Sequence, residues 1–126
     1  MSEPRESSPR QLLSHPVFAP AWTVLILALC SVPGSELPEV RIVAADKLAH
    51  LLLFVVFALL WSWRKPFVGT AAVLLGGVAL AAISELYQGW IGLGRIPDPF
   101  DALANAAGLL LGLVLFRRPK RRLKAQ

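Results

Sequence analysis

The chain has 126 residues, of which 56% are hydrophobic and only 17% charged, a balance too apolar for an ordinary soluble domain of this size. Its net charge of +5 lies mainly at the two ends and in a few short breaks, a pattern that argues against nucleic-acid binding. The single cysteine, Cys30, excludes an intrachain disulfide, and no His and Cys cluster has zinc-finger spacing.

Four apolar stretches have lengths that suit membrane helices, since a hydrocarbon core of about 30 Å needs roughly 20 apolar residues as helix. In chain order, the predicted helices are 17–33, 46–63, 66–90 and 99–117. The first is the shortest because prolines at both ends limit it. A backbone in lipid must satisfy its own hydrogen bonds, and no segment alternates with a period of two. The predicted fold is therefore all-α, an antiparallel bundle of four transmembrane helices.

The charged flanks predict the topology. Ten of the thirteen Lys and Arg residues would share one side, which the positive-inside rule makes cytoplasmic. We expect a multi-pass protein of the cytoplasmic (cell) membrane with both termini in the cytoplasm. Residues 1–16 are predicted to be a disordered segment, 17–117 the membrane domain and 118–126 a basic tail. The tail either sets the topology, the favoured interpretation, or attracts anionic lipids.

Ionisable side chains at membrane depth are costly, so each one suggests a function. The second helix carries Asp46, Lys47 and His50 at its start, and the third carries Glu85 and Gln88 near its end. The remaining polar candidates lie before or on the fourth helix and are Arg95, Asp98, Asp101 and Asn105. All of them belong to the outward end of the predicted bundle.

A glycine pair follows on the fourth helix. Gly108 and Gly112 form a GxxxG spacing, which lets another helix approach closely. Asp101 and Asn105 precede them at helical intervals on the same stripe, so we expect this stripe to face protein and not lipid. The spacing favours helix packing inside the bundle, and it also permits a homodimer. Five aromatic residues are predicted to be interfacial anchors: Trp22, Trp61, Trp63, Tyr87 and Trp90.

The order of these residues resembles the VanZ-like family of small bacterial membrane proteins. The resemblance lies in Asp46-Lys47-xx-His50, in Glu85-xx-Gln88, and in Arg95-xx-Asp98-xx-Asp101-xxx-Asn105-xx-Gly108-xxx-Gly112. It spans about Asp46 to Leu115, over half the chain. It implies an integral protein of the bacterial inner membrane, and the family's namesake is associated with low-level resistance to the glycopeptide antibiotic teicoplanin. It supplies no established reaction.

The favoured hypothesis for function is recognition in the cell envelope. The outward pocket would bind a polar or phosphorylated envelope component, such as an envelope precursor or a glycolipid head group. Lys47 and Arg95 would hold a phosphate or carboxylate, and other members of the polar set would supply hydrogen bonds. The partners expected are therefore the lipid bilayer and this component, with no nucleic acid.

Two alternatives stay open. A membrane-embedded enzyme on a lipid-linked substrate would use His50 as base and Glu85 or Asp101 as acid, or a metal on His50, Asp46, Glu85 and Asp101. No serine or cysteine is an obvious nucleophile, and no metal or other cofactor is predicted. In a structural or assembly factor without a ligand, the charges would only neutralise one another across the bundle.

Overall fold

The structure is a computed structural model that describes residues 8–32, 43–64, 68–90 and 97–117. Within these ranges the chain is 86% helical and contains no strand. The helices are α1 (Pro9–Leu13), α2 (Phe18–Cys30), α3 (Val43–Ser62), α4 (Thr70–Trp90) and α5 (Pro99–Arg117). The all-α prediction is confirmed. The basic tail 118–126 lies outside the described residues.

Three of the helices are long and apolar enough to cross a membrane: Ala44–Ser62 within α3, Thr70–Trp90 and Pro99–Arg117. The shorter α2 has 13 residues and covers about 20 Å, less than the roughly 30 Å of a hydrocarbon core. The outward faces of the long helices support a lipid environment, because large apolar side chains such as Leu75 and Leu86 are 69% and 72% exposed. The molecule is therefore a multi-pass membrane protein of helical type.

A short helix lies within the segment 1–16, for which the sequence predicts disorder. In α1, Pro9 occupies the first position, where its missing N–H is not needed. The Gln11 side chain accepts a hydrogen bond from the Ser8 backbone N–H at 3.2 Å, one half of a capping box. Local capping thus accounts for the helix, and residues 1–7 lie outside the described part.

The closest contact in the bundle is between α3 and α5, which run parallel although α4 separates them in sequence. A Cβ added to Gly112 would lie 2.6 Å from the Ala58 Cβ and 2.7 Å from the Val55 oxygen. One turn earlier, a Cβ on Gly108 would overlap the Leu51 carbonyl. The two glycines therefore bring the α5 backbone against α3 inside one chain.

The helix α2 is attached to α3 through tryptophan side chains. The Trp22 indole Nε1–H donates to the Leu53 carbonyl at 2.9 Å, and the Trp61 Nε1–H donates to the Thr23 hydroxyl at 3.1 Å. These indoles, predicted to be interfacial anchors, make hydrogen bonds between helices because an unpaired N–H in an apolar bundle is costly. Helix α2 packs antiparallel to α3, because Ser14, which precedes α2, accepts a hydrogen bond from Arg64 after the end of α3, and Cys30 at the end of α2 lies beside Gln88 of α4.

Candidate functional site

Three helix ends bring polar side chains to one end of the bundle. The first turns of α3 and α5 and the last turns of α4 meet there, because α3 and α5 are parallel and α4 is antiparallel to both. Asp46 and His50 are four residues apart and so share a face of α3, as Asp101 and Asn105 share a face of α5. The structure brings these two faces together.

Lys47 is the centre of an ion-pair cluster. Its Nζ donates to Asp98 Oδ2 at 2.5 Å and to Asp101 Oδ1, and it lies 3.7 Å from Asp46 Oδ2. The Lys47 side chain is 23% exposed and the Asp101 side chain 11%. The bond from Lys47 holds the pKa of Asp98, which precedes the α5 span, below its ordinary value of 3.8. Lys47 therefore has its charge neutralised within the protein.

Asp98 also begins helix α5. Its Oδ1 accepts a hydrogen bond from the Phe100 backbone N–H at 2.9 Å, and Pro99 follows as the first helical residue. A side-chain acceptor before Pro is a normal helix N-cap arrangement. Asp98 thus fixes the start of α5 and the position of Asp101, a capping role that we did not predict although Asp98-Pro99 in the sequence could have indicated it.

His50 is enclosed between α3 and α5. Its Nδ1 lies 3.0 Å from Asn105 Oδ1, and its Nε2 lies 3.7 Å from Asp101 Oδ2. His50 is 8% exposed and Asn105 is fully buried. Because Oδ1 is an acceptor, the His50 Nδ1–H is the donor of this bond. Both ring nitrogens therefore face protein groups, which suits a positioning role for His50 better than a base in contact with a substrate.

A divalent cation could in principle be held by three residues of this end. One ligand atom each from Asp46, His50 and Asp101 lie within 4.8 Å of one another, and imidazole with carboxylate is a common ligand set. However, the Lys47 ammonium already binds Asp101 and lies beside Asp46. The cluster contains its own cation, so the donor set fits a divalent ion poorly.

A cleft of about 450 Å³ lies between α4 and α5, next to the cluster. Except for two polar residues, its walls are apolar or small; the lining residues are Gly77, Val78, Ala81, Ala82, Glu85, Leu86, Ala102, Asn105, Ala106 and Leu109. We did not predict this cleft. Alanines four residues apart on α5, Ala102 and Ala106, are the sequence signal that could have indicated it.

The two polar residues of the cleft have unsatisfied side-chain atoms. Both carboxylate oxygens of Glu85 and the Nδ2 of Asn105 are buried, and none has a hydrogen-bond partner in the described ranges. The Asp98 backbone N–H lies near the Glu85 carboxyl group but outside the geometry of a normal hydrogen bond, and Asp101 and His50 lie within electrostatic range of it. Buried polar atoms are normally paired. The cleft therefore presents two acceptors and a donor to whatever enters it.

Of the remaining predicted site residues, those that the structure describes lie away from the ion-pair cluster. Gln88 Nε2 lies 3.4 Å from the Cys30 carbonyl, so Gln88 faces α2 and is not part of the cluster. Three residues on a helix correspond to a rotation of about 60°, enough to separate it from Glu85. Arg95 lies outside the described residues. Gly108 and Gly112 lie deeper, at the α3 contact described above.

The fold and site define a small integral membrane protein with a polar cluster at one end of a helical bundle. A protein-family model described as VanZ/LLP1 matches residues 6–121. The chain belongs to this family, as its motifs led us to expect. No curated protein and no solved structure matches the chain.

Proposed function

We propose that this protein binds a lipid or lipid-linked component of the cell envelope in the cleft between α4 and α5. The polar head would contact Glu85 and Asn105, and the apolar tail would lie along the small and aliphatic walls. The observation that carries the proposal is the burial of three unpartnered polar atoms in an otherwise apolar cleft. A volume of about 450 Å³ is within the usual range of ligand sites.

An amphiphilic ligand suits the position of the cleft. Val78 and Leu86 line it and are 52% and 72% exposed, so its rim lies on the lipid-facing surface of the bundle. A ligand could therefore enter sideways from the bilayer with its tail still in an apolar environment. A water-soluble ligand would gain little from these walls.

The contacts of Lys47 favour a polar head group over a phosphorylated one. Lys47 was a predicted phosphate ligand, but its ammonium binds Asp98 and Asp101 and is not among the cleft-lining residues. We propose that this ion-pair cluster is architectural and holds the ends of α3 and α5 together. Recognition would belong to the neighbouring Glu85 and Asn105.

We further propose that the cleft end faces outward and that both termini are cytoplasmic, as the distribution of Lys and Arg predicts. Wall precursors and the target of teicoplanin lie on that side, which connects the site to the resistance associated with the family's namesake. An alkaline phosphatase fused after Leu93 should then be active and one fused after Arg64 inactive. The opposite pattern would place the cleft on the cytoplasmic side and contradict the envelope role.

Native mass spectrometry of the full chain extracted from bacterial membranes tests binding. The wild type should retain a lipid that Glu85→Gln loses, because the amide replaces one of the two carboxyl oxygens with a nitrogen that only donates. Asp98→Asn is the matched control, since it makes the same carboxylate-to-amide change at the same end of the bundle outside the cleft. Retention of the same lipid by Glu85→Gln, or the same loss in Asp98→Asn, would contradict the proposal.

A further inference from the structure

We infer that the head group recognised in the cleft is an uncharged hydroxyl, as in a polyol or sugar, which donates to Glu85 and accepts from Asn105. This inference rests on the proposed binding function and names the chemistry of its ligand. The observation behind it is that two unpartnered groups line the same cleft, the acceptor oxygens of Glu85 and the donor Nδ2 of Asn105.

The orientation of Asn105 is set from behind by His50. The Asn105 Oδ1 faces the His50 Nδ1 at 3.0 Å, so the carbonyl half of the amide is used inside the α3–α5 contact. The amino half, Nδ2, is then the part without a partner, and Asn105 lines the cleft. Since an amide Nδ2 only donates, the ligand must supply an acceptor there.

Glu85 imposes the opposite requirement. Neither of its buried carboxyl oxygens has a hydrogen-bond partner among the described residues, and a carboxyl group offers an acceptor oxygen whether or not it carries a proton. The ligand must therefore also supply a donor.

The charges around the cleft restrict the charge of the ligand. The described residues of this end include four carboxyl groups (Asp46, Asp98, Asp101 and Glu85) and one ammonium, Lys47. An anionic head group would be repelled.

Comparison of head groups leaves the hydroxyl as the best match. An ammonium donates to Glu85 but has no acceptor for Asn105 Nδ2, and an ionised phosphate accepts from Asn105 but has no donor for the Glu85 oxygens. A hydroxyl does both through one oxygen. A primary amide also has both characters, but it donates through nitrogen and accepts through oxygen, so only the hydroxyl offers both at one atom.

Small residues let such a head group approach closely. Ala81 on α4 and Ala102 and Ala106 on α5 line the cleft beside the polar pair. Beyond the polar pair, Leu109 closes the far end of the cleft against Gly77, whose added Cβ would lie 2.5 Å from the leucine Cδ1. The cleft walls next to Glu85 and Asn105 are therefore formed by small side chains, while the larger Leu109 packs on Gly77 farther along the same cleft.

The test compares ligands that share one alkyl tail and differ only in the head. The wild-type chain is placed in nanodiscs of phosphatidylcholine, whose head group has no hydrogen-bond donor, and binding of each ligand is measured by competition with a fluorescent polyol. The heads are a polyol, its methyl ether, an ammonium, a phosphate and a primary amide. The polyol should bind about tenfold more tightly than its ether, because the ether cannot donate to Glu85.

The outcomes separate this inference from the proposed function. Equal binding of all heads, or a preference for ammonium, phosphate or amide, would contradict the hydroxyl inference while the cleft remains an amphiphile site. Binding of none of the ligands would contradict both. In Glu85→Gln the advantage of the polyol over its ether should shrink severalfold, with thermal unfolding as the check on folding. Even if that variant does not fold, the comparison of polyol with ether in the wild type shows whether binding requires the hydroxyl donor.

Discussion

His50 of α3 and Asn105 of α5, 55 positions apart in the chain, meet in the bundle interior with 3.0 Å between Nδ1 and Oδ1. This contact links the two parts of the site, because His50 also lies 3.7 Å from Asp101 in the ion-pair cluster while Asn105 lines the cleft. A rigid cluster on one side thus fixes the orientation of a recognition group on the other. Positioning of this kind is how a binding site retains its geometry before the ligand arrives.

Loss of the Lys47 charge should destabilise the bundle. In Lys47→Met the carboxylate of Asp101, which is 8% exposed, loses its charged partner. We expect a loss of about 2 kcal/mol in the free energy of unfolding, less than for a fully buried pair because Lys47 is partly exposed. Reversible unfolding in mixed micelles measures it.

The double variant Lys47→Met with Asp101→Asn is the control for that change. It removes both charges, so it should be more stable than Lys47→Met alone. If the loss of stability in the double variant equals the sum of the losses in Lys47→Met and Asp101→Asn, Lys47 and Asp101 do not form the coupled pair described here.

The Asp98 ion pair predicts a pH dependence of stability. Because the pKa of Asp98 is lowered in the folded protein, the carboxylate stabilises the fold above its unfolded pKa, near 3.8. That contribution is lost as the pH falls through the lower folded-state pKa. The wild type should therefore be more stable than Asp98→Asn at pH 7, and the difference should shrink as the pH falls below 3.8 and disappear once Asp98 is protonated in the folded protein as well.

Asp98→Asn is suited to this comparison because asparagine is also a good helix N-cap. The bond to the Phe100 N–H can be retained while the charge is removed. Thermal unfolding of the two proteins between pH 3 and pH 7 checks the prediction. A difference that is constant over this range would mean that Asp98 acts only as a cap.

The glycine contact between α3 and α5 predicts a contrast between two alanine substitutions. In Gly108→Ala the new methyl group would overlap the Leu51 carbonyl and lie 2.9 Å from its carbon. Since a backbone cannot move aside cheaply, we expect a loss of about 1 to 3 kcal/mol. In Gly76→Ala the methyl group meets nothing within 4 Å, so stability should stay the same or rise slightly. Equal effects of the two changes in a thermal unfolding assay would argue against the close α3–α5 packing.

The cleft itself can be filled without touching its polar groups. Ala106 lines the cleft and Ala107, the next residue, does not, although both are exposed. Ala106→Leu should lower lipid retention at least severalfold by occupying the space, whereas Ala107→Leu should leave it unchanged. Native mass spectrometry measures both variants. Equal retention in the two would mean that the bound lipid lies elsewhere.

The sequence predicted the three long apolar helices because membrane thickness sets the length of an apolar helix, although α3 begins at Val43 instead of 46 and α4 at Thr70 instead of 66. The interval of four residues also indicated that Asp46 and His50 would share a face. It could not assign Gln88 to α2, because that depends on which helix packs against each side of α4. The cleft was not predictable for the same reason: it is a gap between α4 and α5, set by how closely α5 approaches α3.

Photo-crosslinking tests the central claim, a head-group site between α4 and α5, most directly. A benzophenone amino acid is placed at Ala82, which lines the cleft, or at Ile83, which is exposed to lipid outside it. We predict that Ala82 captures a lipid with hydroxyls in its head group, that Glu85→Gln abolishes this capture, and that Ile83 captures bulk lipid in both backgrounds. The same bulk lipids at both positions, unaffected by Glu85→Gln, would contradict the claim.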